Sequence, residues 1–264
     1  MTEQLQHIVR VSREGETAYA RLTGDRLEFF DAAPWIGGRL TGRTSAESGW
    51  LRLAPAEPTK IVCVGLNYRA HVAESATLIP GGGDSPGEPL IFLKPPSALL
   101  AHGQPILYPR GVTRLDPEAE LAVVIGRRAR HVSAERAGEF VAGITGFNDV
   151  SARNHQRQDG QWTRAKGFDT FAPLGPALVM GLSPGALRVE CRVNGERRQL
   201  GSTSDLLFPV PALIAHISGI MTLEPGDVIA TGTPAGVAPV VPGDSIEIEI
   251  EGVGILRNPV AAAP

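Results

Sequence analysis

The amino-acid sequence points to a mainly β protein, α+β in class, with few helices. Three observations carry this. The 264 residues include 31 glycines and 22 prolines, about a fifth of the chain against a usual ~12%, which calls for many turns. Apolar segments are short and bounded by turn residues, the pattern of strands more than of long helices. No GxGxxG or GxxxxGK[ST] follows a strand, so a doubly wound α/β fold has no support.

In chain order, HIVRV, TAYARL and RLEFFD, separated by REGE and GD, read as a small β-meander. The Pro-spaced stretch at 54–58 reads as a linker, so residues 1–57 are expected to form a small N-terminal β-rich domain and residues 58–264 the main one. A buried strand is expected at 60–64, a turn at Gly65, a short helix at 68–76, and a lid or disordered excursion in the Gly/Pro-rich run at 80–89. PLIFL, ELAVVIG and VAGITGF follow as strands, with a helical start, SAERAGEF, before the last. Asn194-Gly195 between LRVECRV and ERRQLGS is a hairpin signal. Residues 209–221 read as an amphipathic helix with Pro near its start, and Pro-Gly-Asp turns at 225–227 and 242–244 frame VIATG and SIEIEIEG.

Composition excludes several functions. A net charge of −3, a pI near 6.1 and 5% aromatics argue against a nucleic-acid or anionic-membrane surface. No apolar run approaches a membrane span and MTEQLQHIVR has no signal-peptide stretch, so a cytoplasmic protein is expected. Cys63 and Cys191 lie in apolar runs without CxxC spacing and read as buried thiols. HExxH and GxSxG are missing. Among 25 basic residues only Lys60, Lys94 and Lys166 are lysines. Codon bias accounts for the excess of arginine, but the two side chains do different chemistry.

The most informative stretch is LDPEAELAVVIG. Glu118 and Glu120 are two apart at the entrance of an apolar strand, so extended backbone points both carboxylates to one face. Such a face is commonly solvated, yet this one continues with Ala122 and Val124. Facing inward with a third carboxylate, Asp149, the pair would repel by ~4 kcal/mol at ~4 Å and would need a cation, for which oxygen donors suit Mg²⁺ or Mn²⁺. His71 and Glu74, three apart, are either an exposed helical pair or a general base carried near a lid. His102, His131 and His216 have no partner at ligand spacing, and His155 lies beside Arg153.

The motifs VGLNYRAHVAES, IFLKPPSAL, EAELAVVIG, GFNDVSARN, TRAKGFDTFAPLGP, VNGERRQ and DVIATGTPAGV, in this order and spacing, resemble the fumarylacetoacetate hydrolase family over residues 60–260. The first ~57 residues resemble, less specifically, the small N-terminal domain of bacterial members. The resemblance implies a mixed β-roll catalytic domain, a divalent metal, a homodimer and reactions on 2-oxo or enol acids. It places the metal ligands on Glu118, Glu120 and Asp149, a catalytic dyad on His71 and Glu74, and a catalytic lysine on Lys166. It places substrate contacts on Gln156, Arg153 and Thr233, and Lys94 is read as meeting a distal substrate carboxylate. Gly167 stands where many relatives have Ser, adding backbone freedom beside Lys166. The expected activity is that of a 2-hydroxyhepta-2,4-diene-1,7-dioate isomerase or 5-carboxymethyl-2-oxo-hex-3-ene-1,7-dioate decarboxylase. The alternatives are an acylpyruvate hydrolase, an oxaloacetate decarboxylase, and a silent member that only binds an oxo acid.

Overall fold

The computed structural model describes residues 5–75 and 85–264, so much of the expected lid at 80–89 lies outside the described residues. The chain is mainly β. The larger of its described sheets has twelve strands. Ten of them run in order from Leu40–Ala46 through Arg26–Phe30, Glu16–Thr23, Gln6–Arg13, Ala172–Met180, Val141–Asn148, Ala119–Ile125, Val228–Ala230 and Ile61–Gly65 to Leu90–Lys94, while Leu51–Leu53 pairs with Gln6–Arg13 and Leu99–Leu100 with Ala172–Met180. A five-stranded sheet is ordered Glu196–Ser202, Arg188–Val193, Ser245–Ile250, Gly254–Ala262, Ile106–Tyr108.

The N-terminal meander forms as expected and then joins the main sheet, because Gln6 pairs with Met180 and Ile8 with Leu178. The expected linker at 54–58 is packed instead of solvated. Ala54 and Ala56 are buried in the same cluster as Ile8, Ala172 and Leu178, since small side chains and prolines fit against a sheet without leaving polar groups unpaired.

The strand Ala119–Ile125 is buried on both faces. Leu121, Val123 and Ile125 enter one core cluster, while Ala122 and Val124 enter another on the opposite side. Its near-continuous apolar run fits a strand with core on either side. The helix Val210–Ile220 turns Leu213, Ile214 and Ile217 into the first of these cores. The expected helical start at SAERAGEF forms a 3₁₀ segment, Ala134–Phe140.

In the smaller sheet, Ile246, Ile248 and Ile250 point inward, and Glu247 and Glu249 pair outward with Arg257, Arg188 and Arg192. Asn194 and Gly195 both adopt positive φ, 53° and 80°, which a two-residue hairpin turn of this hand requires. Both cysteines are free and buried. Among the described residues no helix is long and apolar enough to cross a membrane.

Asp227 ties the start of the strand Ile61–Gly65 to the turn at 224–227. It is fully buried. Its carboxylate accepts hydrogen bonds from the Thr59 N–H and hydroxyl (2.9 and 2.7 Å), the Lys60 N–H (3.1 Å) and the Glu224 N–H (2.7 Å), and it pairs with the Lys60 ammonium. Asp227→Ala is expected to cost about 3–5 kcal/mol, the usual loss when a buried pair is broken, read from the midpoint of chemical denaturation. Lys60→Met should cost less, because the carboxylate keeps its N–H donors. Equal midpoints for wild type and Asp227→Ala would show that this carboxylate holds nothing together.

Candidate active site

The antiparallel register of Ala119–Ile125 with Val141–Asn148 pairs Ala119 with Asn148. One step outward, Glu118 stands across from Asp149, whose N–H donates to the Glu118 carbonyl at 3.0 Å. Glu120 follows on the same face as Glu118. The face is not solvated: Glu118, Glu120 and Asp149 are 4%, 1% and 1% exposed. One oxygen from each lies within 4.8 Å of the others. The strand face that carries two of these carboxylates continues as the apolar core of Ala122 and Val124.

Three cations answer the trio. The Lys166 ammonium donates to Glu118 Oε2 at 2.7 Å and to Asp149 Oδ2 at 2.6 Å. Lys94 donates to Asp149 Oδ1 at 2.5 Å and to the Val150 carbonyl at 3.1 Å. Arg153 pairs with Glu118, and donates to Asp116 at 2.8 Å and to Gln156 Oε1 at 2.8 Å. All three are buried. Burial opposes ionisation of Glu118, but Arg153 and Lys166 outweigh it and hold that carboxyl well below the usual range. Glu120 behaves oppositely. Burial, and then the charges of Asp149 and Glu118, push it well above that range. It accepts from the Gly232 N–H at 2.8 Å, and among the described residues no cation pairs with it. A buried carboxylate short of counter-charge beside two others, in an all-oxygen donor set, fits a hard divalent cation.

The helix Arg69–Ser75 carries the dyad. His71 Nδ1 lies 2.9 Å from Glu74 Oε2, and Glu74 also accepts from the Gly236 N–H at 3.1 Å. Glu118, Glu120, Asp149, Lys166, Arg153, Gln156, Thr233 and His71 line one small cavity, and Glu74 stands behind His71. Phe92 and Trp162 form an aromatic wall of the same cavity. Their rings meet edge to face at 5.1 Å, and the Lys166 ammonium lies 5.1 Å from the Phe92 centroid. At Gly167 an added Cβ would sit 2.5 Å from the Thr163 carbonyl, so the tight turn after the helix Thr163–Lys166 accounts for glycine there.

Lys94 departs from its expected place. It does not line the cavity. Pairing of Leu90–Lys94 with Ile61–Gly65 buries the side chain behind Asp149, where its ammonium supports a candidate ligand instead of reaching a distal carboxylate. Sequence reasoning also passed over Asp116, Asn148 and Gln199. Asp116 continues the two-residue spacing of Glu118 and Glu120, a visible signal, and it anchors Arg153 and Arg114. Asn148 Oδ1 accepts from the Glu118 N–H and Gln199 Oε1 from the Ala119 N–H, both at 2.9 Å. Gln199 closes the motif VNGERRQ, a signal that marks the residue but not its role, because it comes from the other sheet.

Comparison with known proteins agrees with this architecture. A family model described as fumarylacetoacetate (FAA) hydrolase C-terminal matches residues 60–261, and one described as Rv2993c-like, N-terminal, matches residues 6–54. The solved structure of 2-hydroxyhepta-2,4-diene-1,7-dioate isomerase from Mycobacterium marinum superposes with a TM-score of 0.89 at 39% identity, covering 97% of this chain and 98% of that one. Maleylpyruvate hydrolase from Sphingobium sp., solved with manganese(II) and pyruvate, gives a TM-score of 0.78 at 29% identity over 97% and 100%. Oxaloacetate tautomerase YisK of Bacillus subtilis is 42% identical over 217 residues, 78% of this chain and 71% of that protein. With a family model spanning three quarters of its length and a fold shared almost end to end, this chain belongs to the fumarylacetoacetate hydrolase family.

Proposed function

We propose that the chain is a divalent-metal-dependent enzyme that moves a proton on a 2-oxo or enol dicarboxylic acid, with 2-hydroxyhepta-2,4-diene-1,7-dioate isomerisation as its reaction. The observation that carries this reading is that an acid–base dyad and a buried carboxylate trio meet in one small cavity. The M. marinum isomerase and the B. subtilis tautomerase, whose named reactions relocate a proton without breaking a carbon skeleton, support it.

Glu118, Glu120 and Asp149 would hold Mg²⁺ or Mn²⁺, which as a Lewis acid would polarise the 2-oxo group of the substrate. Thr233 and Gln156 present polar groups to the same cavity and would take carboxylate oxygens. Lys166 offers a compact, fixed cation to charge developing on the 2-oxo oxygen. His71 uses Nδ1 on Glu74, which leaves Nε2 to take and return the proton at carbon. Phe92 and Trp162 exclude water from one side of the substrate. A cytoplasmic homodimer goes with this reading.

A second reading is hydrolysis of the C–C bond of an acylpyruvate, favoured by the likeness to the manganese- and pyruvate-bound maleylpyruvate hydrolase. In it His71 would deprotonate a water instead of a carbon acid.

A spectrophotometric panel with Mg²⁺ separates the readings. Dienoate isomerisation or oxaloacetate tautomerisation that stops on chelation is the expected result. Pyruvate release from an acylpyruvate alone would favour the hydrolase, and oxalate binding without any turnover would mean a silent binder. Metal binding has its own test in calorimetric melting with Mn²⁺ and with chelator. Glu120→Gln should abolish the metal-induced rise in Tm, while its chelated form should melt no lower than chelated wild type because a neutral amide replaces a buried carboxyl that no cation pairs with. A normal Mn²⁺ response in this variant would remove Glu120 from the ligand set. His71→Ala should lower kcat by about 10²–10⁴-fold with Mn²⁺ affinity little changed, and an unaltered kcat would exclude it as the base.

A further inference from the structure

Gln199 lies on the strand Glu196–Ser202 of the smaller sheet, yet its side chain is buried, 1% exposed, against the edge of the candidate active site. Among the described residues it makes three hydrogen bonds. Oε1 accepts from the Ala119 N–H at 2.9 Å, and Nε2 donates to Thr233 Oγ1 and to the Pro234 carbonyl, each at 2.7 Å. Chemistry fixes this orientation. The Ala119 N–H can only donate and the Pro234 carbonyl can only accept, so the amide cannot be flipped without losing both bonds. Thr233 Oγ1 therefore receives a hydrogen from Gln199, and its own proton must point elsewhere. No acceptor among the described residues takes that proton, and Thr233 lines the cavity. A carboxylate or enolate oxygen can only accept, so the direction of this hydroxyl decides whether Thr233 binds such a group or repels it.

We infer that Gln199 is a positioning residue that holds the Thr233 hydroxyl as a hydrogen-bond donor toward an anionic ligand oxygen, and that it does so from an anchor on the backbone between Glu118 and Glu120. The inference rests on the reading of the cavity as a metal-dependent oxo-acid site. Gln199→Glu is the sharp variant. It keeps an acceptor for the Ala119 N–H but replaces the donor facing Thr233 with an acceptor, so the threonine hydroxyl turns away from the cavity.

The test is titration calorimetry of Mn²⁺ alone, and then of oxalate, a planar dianion resembling a 2-oxo acid enolate, with the Mn²⁺-loaded protein. Thr233→Val should weaken oxalate by about 10- to 100-fold, the range for one hydrogen bond to a charged group, and Thr233→Ser should restore it. Gln199→Glu should weaken oxalate comparably, leave Mn²⁺ affinity within about threefold, and add almost nothing in the Thr233→Val background, as coupled residues do. Additive losses, wild-type oxalate affinity in Gln199→Glu, or a matching loss of Mn²⁺ affinity would overturn the assignment. Should Gln199→Glu fail to fold, Gln199→Met enters the same cycle, and failure of both places Gln199 in the scaffold and overturns it too. Wild type that binds Mn²⁺ but not oxalate would instead overturn the reading of the cavity.

Discussion

Three carboxylates brought within 4.8 Å of one another in the protein interior set the terms for everything around them. Burying an ion costs several kcal/mol, and like charges at this range add to it. The chain answers with Lys94 from the strand that follows the segment 76–84, and with Arg153 and Lys166 from the short helices after Asp149. Arg153 is itself oriented by Asp116 and Gln156. These cations settle on Glu118 and Asp149 and leave Glu120 uncompensated, so the charge deficit falls on the side of the trio that faces the loop after Val228–Ala230.

That loop links the two halves of the site. Its Gly232 N–H donates to Glu120 and its Gly236 N–H to Glu74, so one short segment orients a candidate metal ligand and the partner of the candidate base. Between them Thr233 faces the cavity. Gly232 has φ +101° and a Cβ there would lie 2.8 Å from the Asn67 Cβ, so both conformation and space demand glycine. Asn67 secures the arrangement by donating to the Thr231 carbonyl at 2.7 Å. A shift at either glycine would move a carboxylate that matters and break its alignment with the other.

The three lysines share a feature that the arginines mostly lack. Each places its ammonium against a buried carboxylate in a confined space: Lys60 on Asp227, Lys94 on Asp149, and Lys166 on Asp149 and Glu118. Two ammonium groups converge on Asp149. A lysine presents a compact point charge on a slender stem, which suits two ammonium groups approaching one buried carboxylate and gives lysine a physical reason at 94 and 166. Most of the arginine ion pairs are at least partly solvated, among them Arg136 with Glu139 and Arg164 with Asp159, and contribute little to stability.

By itself the sequence determined the strand and turn pattern, the hairpin at Asn194-Gly195, and the same-face placement of Glu118 and Glu120, because these depend on neighbours within a few residues. The His71–Glu74 contact was legible for the same reason, as one turn of helix brings the two together. The motif resemblance extended this to Asp149, Lys166, Gln156 and Thr233. Only the tertiary structure decided that the carboxylate face is buried, since exposure depends on what packs over it: Lys166 and Arg153 on the carboxylates and the core around Ala122 and Val124 beyond them. It alone moved Lys94 from the substrate to the back of Asp149, buried the stretch at 54–58, and carried Gln199 across from the second sheet onto the Ala119 N–H and Thr233. Hydrogen bonds and ion pairs between residues dozens of positions apart leave no periodicity in the chain, so folding must bring the partners together before either role exists.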